Sequence, residues 1–139
     1  MNTIRDILTG SKTIAVVGLS AKPHRASYGV AQYMQARGYR IIPVNPSYAG
    51  REILGERVYA SLPEAAAAIG QPIDIVDCFR KSEDIAPIAR DAVAVKARCL
   101  WMQLGIENQD AAALAEAAGL DVVMDACIKV DHATLRIER

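Results

Sequence analysis

Short apolar runs recur along the chain. Each is followed by a polar turn and then by a stretch whose apolar positions fall three or four apart. Thr13 to Val17 is one such run, rich in β-branched residues and suited to a strand covered on both faces. Gly18 and a polar loop follow, and Val30, Tyr33 and Met34 then fall at helical spacing. This predicts a helix from Ser27, as N-cap, to Arg37, closed by Gly38. The same alternation predicts strands over Tyr39 to Val44, Arg57 to Tyr59, Ile73 to Phe79, Arg98 to Gln103 and Asp121 to Met124. Between them, Ser61-Leu62-Pro63-Glu64 has the form of a capping box opening an alanine-rich helix that stops at Gly70. Ser82 to Ala97 reads as helical, divided by Pro87 into a first turn and a main helix. Asn108 caps a helix running to Ala118. The first ten residues form a short amphipathic helix ending at Gly10, and Asp125 to Arg139 reads as a polar tail.

Strands alternating with helices predict an α/β fold: three layers, Rossmann-like, with a mostly parallel, doubly wound sheet. Right-handed crossovers give an expected strand order of 3-2-1-4-5-6, with the switch point between the strands at 13–17 and 73–79. Ligands bind outside the carboxyl ends of such strands, where the loops 18–27, 43–50, 79–82 and 103–107 should meet. The 139 residues suit a single domain over 1–139, with no repeat or linker.

Charge narrows the partners. Sixteen basic and sixteen acidic residues give a formal net charge of zero, so no global field favours nucleic acid. Positive charge gathers instead at Lys22, His24 and Arg25 and at Arg80-Lys81, enough for one small polyanion. No apolar run approaches the ~20 residues of a membrane span. The first residues lack the apolar core of a signal peptide. Three cysteines, at 78, 99 and 127, make neither a disulfide framework nor a metal spacing, which suggests a reducing cytoplasm. No segment specifies a protein partner or a homo-oligomer.

The strand–Gly18–helix turn suits an anion held by free N–H groups at the helix start. It is a poor dinucleotide fingerprint, since Gly18, Ser20 and Pro23 stand near where three glycines would be, and it is not a Walker loop. The residues after the second strand, Pro43-Val44-Asn45-Pro46, carry no acid for the ribose of NAD, while Arg51 alone would speak for NADP. Phosphate chemistry fits better. Lys22, Arg25, Arg80 and Lys81 could surround several phosphates. Val44 and Pro46 offer an edge for an adenine ring, and Phe79 and Ile106 offer apolar walls. Taken singly, Val44 is more often plain core, and Lys22 and Arg25 are more often solvated surface. Their convergence on one crevice is what favours the site.

The segments VVGLSAKPHRASYGVAQYM, IIPVNP, GERVYASL, DIVDCFRKSE, WMQLGI and VVMDACIKVDH together resemble the stand-alone CoA-binding protein family. These are small bacterial Rossmann-like proteins, similar to the N-terminal domain of the succinyl-CoA synthetase α subunit. The resemblance covers about residues 10 to 135 and implies binding of coenzyme A or an acyl-CoA. By position it implies that Gly18, Ser20 and Lys22 wrap the pyrophosphate, with Arg25 beside them, and that Val44, Asn45 and Pro46 lie near the adenosine. Phe79 and Arg80 fall on the loop after the fourth strand. Gln103, Gly105 and Ile106 fall near the pantetheine path. The synthetases use a histidine in a further domain. Neither His24 nor His132 stands in that context, so the resemblance implies binding without the ligase activity.

Cys127 follows the last strand on the side of the expected site. There a thiol would meet the sulfur end of CoA, with Lys129 nearby to lower its pKa; a small buried core residue is the alternative. Asp131-His132 reads as tail polarity or tail docking, and Asp77 as an ordinary hydrogen-bonded aspartate, with bracing a loop next to the site as the alternative. Two rivals to a binding module stay open: an NADP-dependent or Cys127-dependent acyl-transfer enzyme, and an interaction protein with a vestigial pocket.

Overall fold

In the computed structural model, which describes residues 2–138, five parallel strands form the central sheet. They are β1 (Thr13–Val17), β2 (Arg40–Val44), β5 (Ile75–Cys78), β6 (Cys99–Met102) and β7 (Asp121–Val123), in the order β2-β1-β5-β6-β7. Two short antiparallel strands, β3 (Glu52–Ile53) and β4 (Glu56–Arg57), form a separate hairpin. The α/β, Rossmann-like class is as expected, with β1 and β5 adjacent at the switch. No helix among the described residues is long and apolar enough to cross a membrane.

Alternate residues of each strand feed two cores, which is why the strands read as unbroken apolar runs. Ala15, Val17, Val76, Cys78, Leu100 and Met102 face one core. It is covered by α3 (Leu62–Ile69), α4 (Ile85–Ala94) and α5 (Gln109–Ala117) through small residues such as Ala65, Ala89 and Ala112. Ile14, Val16, Ile75, Cys99 and Trp101 face the other, under α1 (Ile4–Gly10), α2 (Ala26–Ala36) and α6 (Ile128–Thr134). The winding explains the division. The chain moves outward from β1 to β2 through α2, then returns past β1 to β5, and a right-handed connection running the other way places its helix on the opposite face.

Five expectations are corrected, the last of them at Asp77. The strand order is not 3-2-1-4-5-6, because residues 57–59 do not form a third sheet strand. Their backbone groups are spent on the hairpin: the Val58 amide donates to the Arg51 carbonyl, and the Gly50 amide to that of Val58. Leu54 and Gly55 both have positive φ, as a two-residue turn that matches strand twist requires. Only Tyr59 reaches β2, as an isolated parallel bridge to Val44. Ser27 does not cap α2; the N-cap is Arg25, with no side-chain bond. Pro87 does not divide its helix: a 3₁₀ turn, Ser82–Asp84, precedes α4, and Pro87 sits in the first turn of α4, where its missing N–H costs least.

The polar tail is a fourth correction, because its middle is α6. Ile128 and His132 turn inward from it, and His132 is buried edge-on to the rings of Tyr33 and Tyr39. The alternation of polar residues hid a helix only seven residues long.

The two aspartates of the fourth predicted strand have different roles. Asp74 ties down the far end of the sheet, accepting from the amides of Lys12 at 2.7 Å and Thr13 at 3.1 Å. Asp77 is 1% exposed between Val16 and Trp101, and its Oδ1 has no hydrogen-bond partner, against the expectation of an ordinary hydrogen-bonded aspartate. Burial alone pushes its carboxyl well above the ordinary 3.8.

Such a group takes up a proton on folding, so its contribution to stability falls as pH rises from the ordinary aspartate range towards the folded-state value. Asp77→Asn should therefore gain on the parent protein in urea denaturation as pH is raised from about 5 to 9. A difference independent of pH would contradict a neutral Asp77.

Candidate functional site

The site is built on Gly18, the first residue after β1. Its φ is +92°, a conformation that L side chains rarely adopt. Its N–H donates to the Val44 carbonyl at 2.8 Å, and a β-carbon at this position would collide with the Phe79 carbonyl oxygen. Glycine is therefore required by neighbouring backbone, from the ends of β2 and β5, before any ligand is considered.

The loop after Gly18 is held by its own hydroxyls. The Ser20 amide donates to Ser27 Oγ at 3.0 Å, and the Lys22 amide to Ser20 Oγ at 3.1 Å. The Arg25 amide closes a turn onto the Lys22 carbonyl. The first amides of α2, at Ala26 and Ser27, have no backbone partner among the described residues and border the cleft beside this loop. Unpaired N–H groups at the start of an eleven-residue helix attract an anion.

Asn45 joins the second loop to the other two. It is buried; its Nδ2 donates to the Leu19 carbonyl at 3.0 Å, and its Oδ1 accepts from the Ser47 amide at 3.0 Å and from Arg80 Nη2 at 3.3 Å. Asn45 thus orients the guanidinium of Arg80, which stands where three clefts meet.

The first cleft is polar, about 390 Å³, and bordered by Gly18, Ser20, Lys22, Arg25, Phe79 and Arg80, together with Ser47 and Tyr48. The second, about 450 Å³, is largely apolar and lies over the carboxyl ends of β1 and β2; Val17, Val44, Pro46, Leu62 and Ile88 line it, with Arg80 at its edge. The third is open and runs between Phe79, Arg80, Lys81, Asp84 and Ile106. Three of the four expected loops converge at the first two clefts, and the fourth reaches the third cleft through Ile106.

Gln103 and Gly105 border none of the three. Gln103 is buried, with Oε1 accepting from the Ile128 amide at 3.1 Å. The Gly105 amide donates to Asp125 Oδ1 at 2.6 Å. Both fasten the fourth loop to the start of α6. Cys127 is half-buried at that start, while burial drives the thiols of Cys78 and Cys99 far above the ordinary range and leaves them neutral. Arg51 lines no cleft and lies over the Tyr48 ring, its guanidinium carbon 5.4 Å from the centroid. No group of three His, Cys, Asp or Glu among the described residues is placed to hold a metal.

Sequence reasoning missed Ser47, Tyr48, Asp84, Ile88 and Asp91 as cleft residues. Asp84, Ile88 and Asp91 stand at i, i+4 and i+7, the spacing of one helix face, and that pattern was legible. Ser47 and Tyr48 lie in a 3₁₀ turn that no periodicity marks.

Residues 12–133 match the family described as CoA binding domain. YneT of Bacillus subtilis, itself uncharacterized, is 44% identical over 133 residues, which are 96% of this chain and 94% of that protein. The solved structure of cell-free ID.343 from Thermus thermophilus superposes with a TM-score of 0.89 at 35% identity, covering 97% of this chain and 99% of that one. A hypothetical protein from Pyrococcus horikoshii superposes with a TM-score of 0.88 at 36% identity, covering 96% and 90%.

Gly18→Ala meets both a left-handed backbone and a carbonyl oxygen. It should lower stability by about 3 kcal/mol in chemical denaturation. A loss within about 0.5 kcal/mol would mean that the two loops part at little cost.

Proposed function

Because the chain belongs to the CoA binding domain family, we propose that it binds coenzyme A or an acyl-CoA at the clefts that meet at Arg80, as a binding module. The position of Arg80 carries this reading, because it borders all three clefts. A ligand lying across it would have a flat apolar group at one end, phosphates in the middle and a long arm at the other. Coenzyme A has that form. Its adenine suits the apolar cleft of Val44, Pro46 and Leu62. Its phosphates suit Lys22, Arg25, Arg80 and the first amides of α2. Its pantetheine arm suits the open cleft along Phe79 and Ile106. Gln103 and Gly105 serve this arm indirectly, by holding the loop that carries Ile106.

The donor set supports a polyanion. Lysine offers a point charge, and arginine a planar fork that meets two phosphate oxygens. We read the module as one that carries or senses its ligand in the cytoplasm as a single domain. The charged side chains along the clefts suit holding charge rather than activating a nucleophile. The loop after β2 carries no acid for the ribose of NAD, and Arg51, the one residue that would speak for NADP, lies over the Tyr48 ring and does not line the clefts.

Calorimetric titration with CoA, acetyl-CoA, NAD and NADP in parallel tests the reading. Saturable binding of CoA or acetyl-CoA, with NAD and NADP silent, is expected. Lys22→Ala combined with Arg80→Ala should weaken it on the order of 100-fold or more, since each removes a charge-assisted phosphate contact. Unchanged affinity in this variant would put the ligand elsewhere, and binding of NADP alone would replace the CoA reading with a reductase.

A further inference from the structure

The apolar cleft has a feature that holding a flat ring does not require. Two carboxylates, Asp84 and Asp91, stand on its wall, on the same face of α4 as Ile88. Asp84 occupies the N-cap position of α4, where an aspartate ordinarily accepts from the helix amides, yet its side chain makes no such bond. Neither carboxylate has a hydrogen-bond or ion-pair partner among the described residues, although Arg80 borders the same cleft and the Asp84 backbone amide donates to the Lys81 carbonyl. An ionised carboxylate only accepts hydrogen bonds. The cleft therefore offers apolar walls from Val17, Val44 and Leu62 and, along the α4 side, two carboxylates that no protein donor holds, with Arg80, Ser47 and Ser61 elsewhere on its lining. The same cleft shares Arg80 and Ser47 with the cation-lined one, so a ring placed here is joined to phosphates.

We infer that Asp84 and Asp91 are specificity-determining residues that select a purine bearing an exocyclic amino group over one bearing a carbonyl at the same position. This rests on the CoA reading and adds to it the basis of base choice. A 6-amino group donates to a carboxylate. A 6-oxo group turns a lone pair towards it, leaving two acceptors opposed and partly stripped of water. An apolar slot alone would hold both rings equally well. Asparagine in place of aspartate keeps the size and shape but supplies an NH₂ donor, so it accommodates either ring.

The test is calorimetric titration with CoA and with its 6-oxopurine analogue, made by deaminating the adenine. It uses the parent protein, Asp84→Asn alone, and Asp84→Asn with Asp91→Asn. Thermal melts establish that each variant is folded, and the single exposed substitution serves if the double one is not. The parent should prefer CoA by about tenfold or more, the size of one charge-assisted hydrogen bond. The double variant should bring the two ligands within about threefold, and the single variant should fall between. A parent that binds both ligands equally, or a preference that survives in the folded variants, overturns the inference and leaves the CoA reading standing. Failure of the parent to bind CoA at all overturns both.

Discussion

The carbonyl oxygen of Phe79 occupies the space that any side chain on residue 18 would need. This contact brings the loop after β1 against the loop after β5, at the place where the winding of the sheet reverses. The Gly18 amide meanwhile reaches the end of β2. One residue without a side chain therefore sets the separation of three loops. The positions of Asn45, Arg80 and the start of α2 follow from that separation. A ligand crevice arises at such a reversal because neighbouring strands send their chains to opposite faces and leave a gap between them. Gly18 determines how narrow that gap is.

The polar groups in the gap are mostly committed to the protein. Ser20 and Ser27 bond to one another, and Asn45 spends its amide on the Leu19 carbonyl, the Ser47 amide and Arg80. These bonds cost little, because they replace water at sites that burial would otherwise leave unsatisfied. Their effect is to hold the charged ends of Lys22 and Arg25 on a loop of fixed shape. A site organised before its ligand arrives loses less freedom on binding.

Much of this was legible in the sequence. β-branched runs separated by helical spacing gave the strands, Gly18 marked the turn, and the basic residues of two distant loops were expected at one crevice, which Lys22, Arg25 and Arg80 border. What failed did so for identifiable reasons. Residues 57–59 read as a strand because they are extended, but extension does not say where backbone hydrogen bonds go, and a hairpin had taken them. Ser27 has the residue type of a cap and the geometry of a loop clasp. The seven residues of α6 were too short and too polar for a periodic signal, and His132 is buried by aromatic rings brought from two remote segments. Gln103 fell within a segment carried over by resemblance, and its side chain proves to be an anchor for α6.

The hairpin also bears on the exposed edge of the sheet. An open parallel sheet ends in a strand whose outer N–H and C=O groups would pair with any extended chain that approached, and that is a route to aggregation. At β2, the Tyr59 amide and carbonyl take up the Pro43 carbonyl and the Asn45 amide, and β3 and β4 follow directly on the connection to Tyr59. A single paired residue thus ties up the carboxyl end of β2 where a sixth strand would lie. At the opposite side β7 is three residues long, too short to template much of a partner. The reduction of a strand to one bridge ties up the end of β2 at one flank, and the other flank is short, so each edge presents less strand to pair with than a full-length one would.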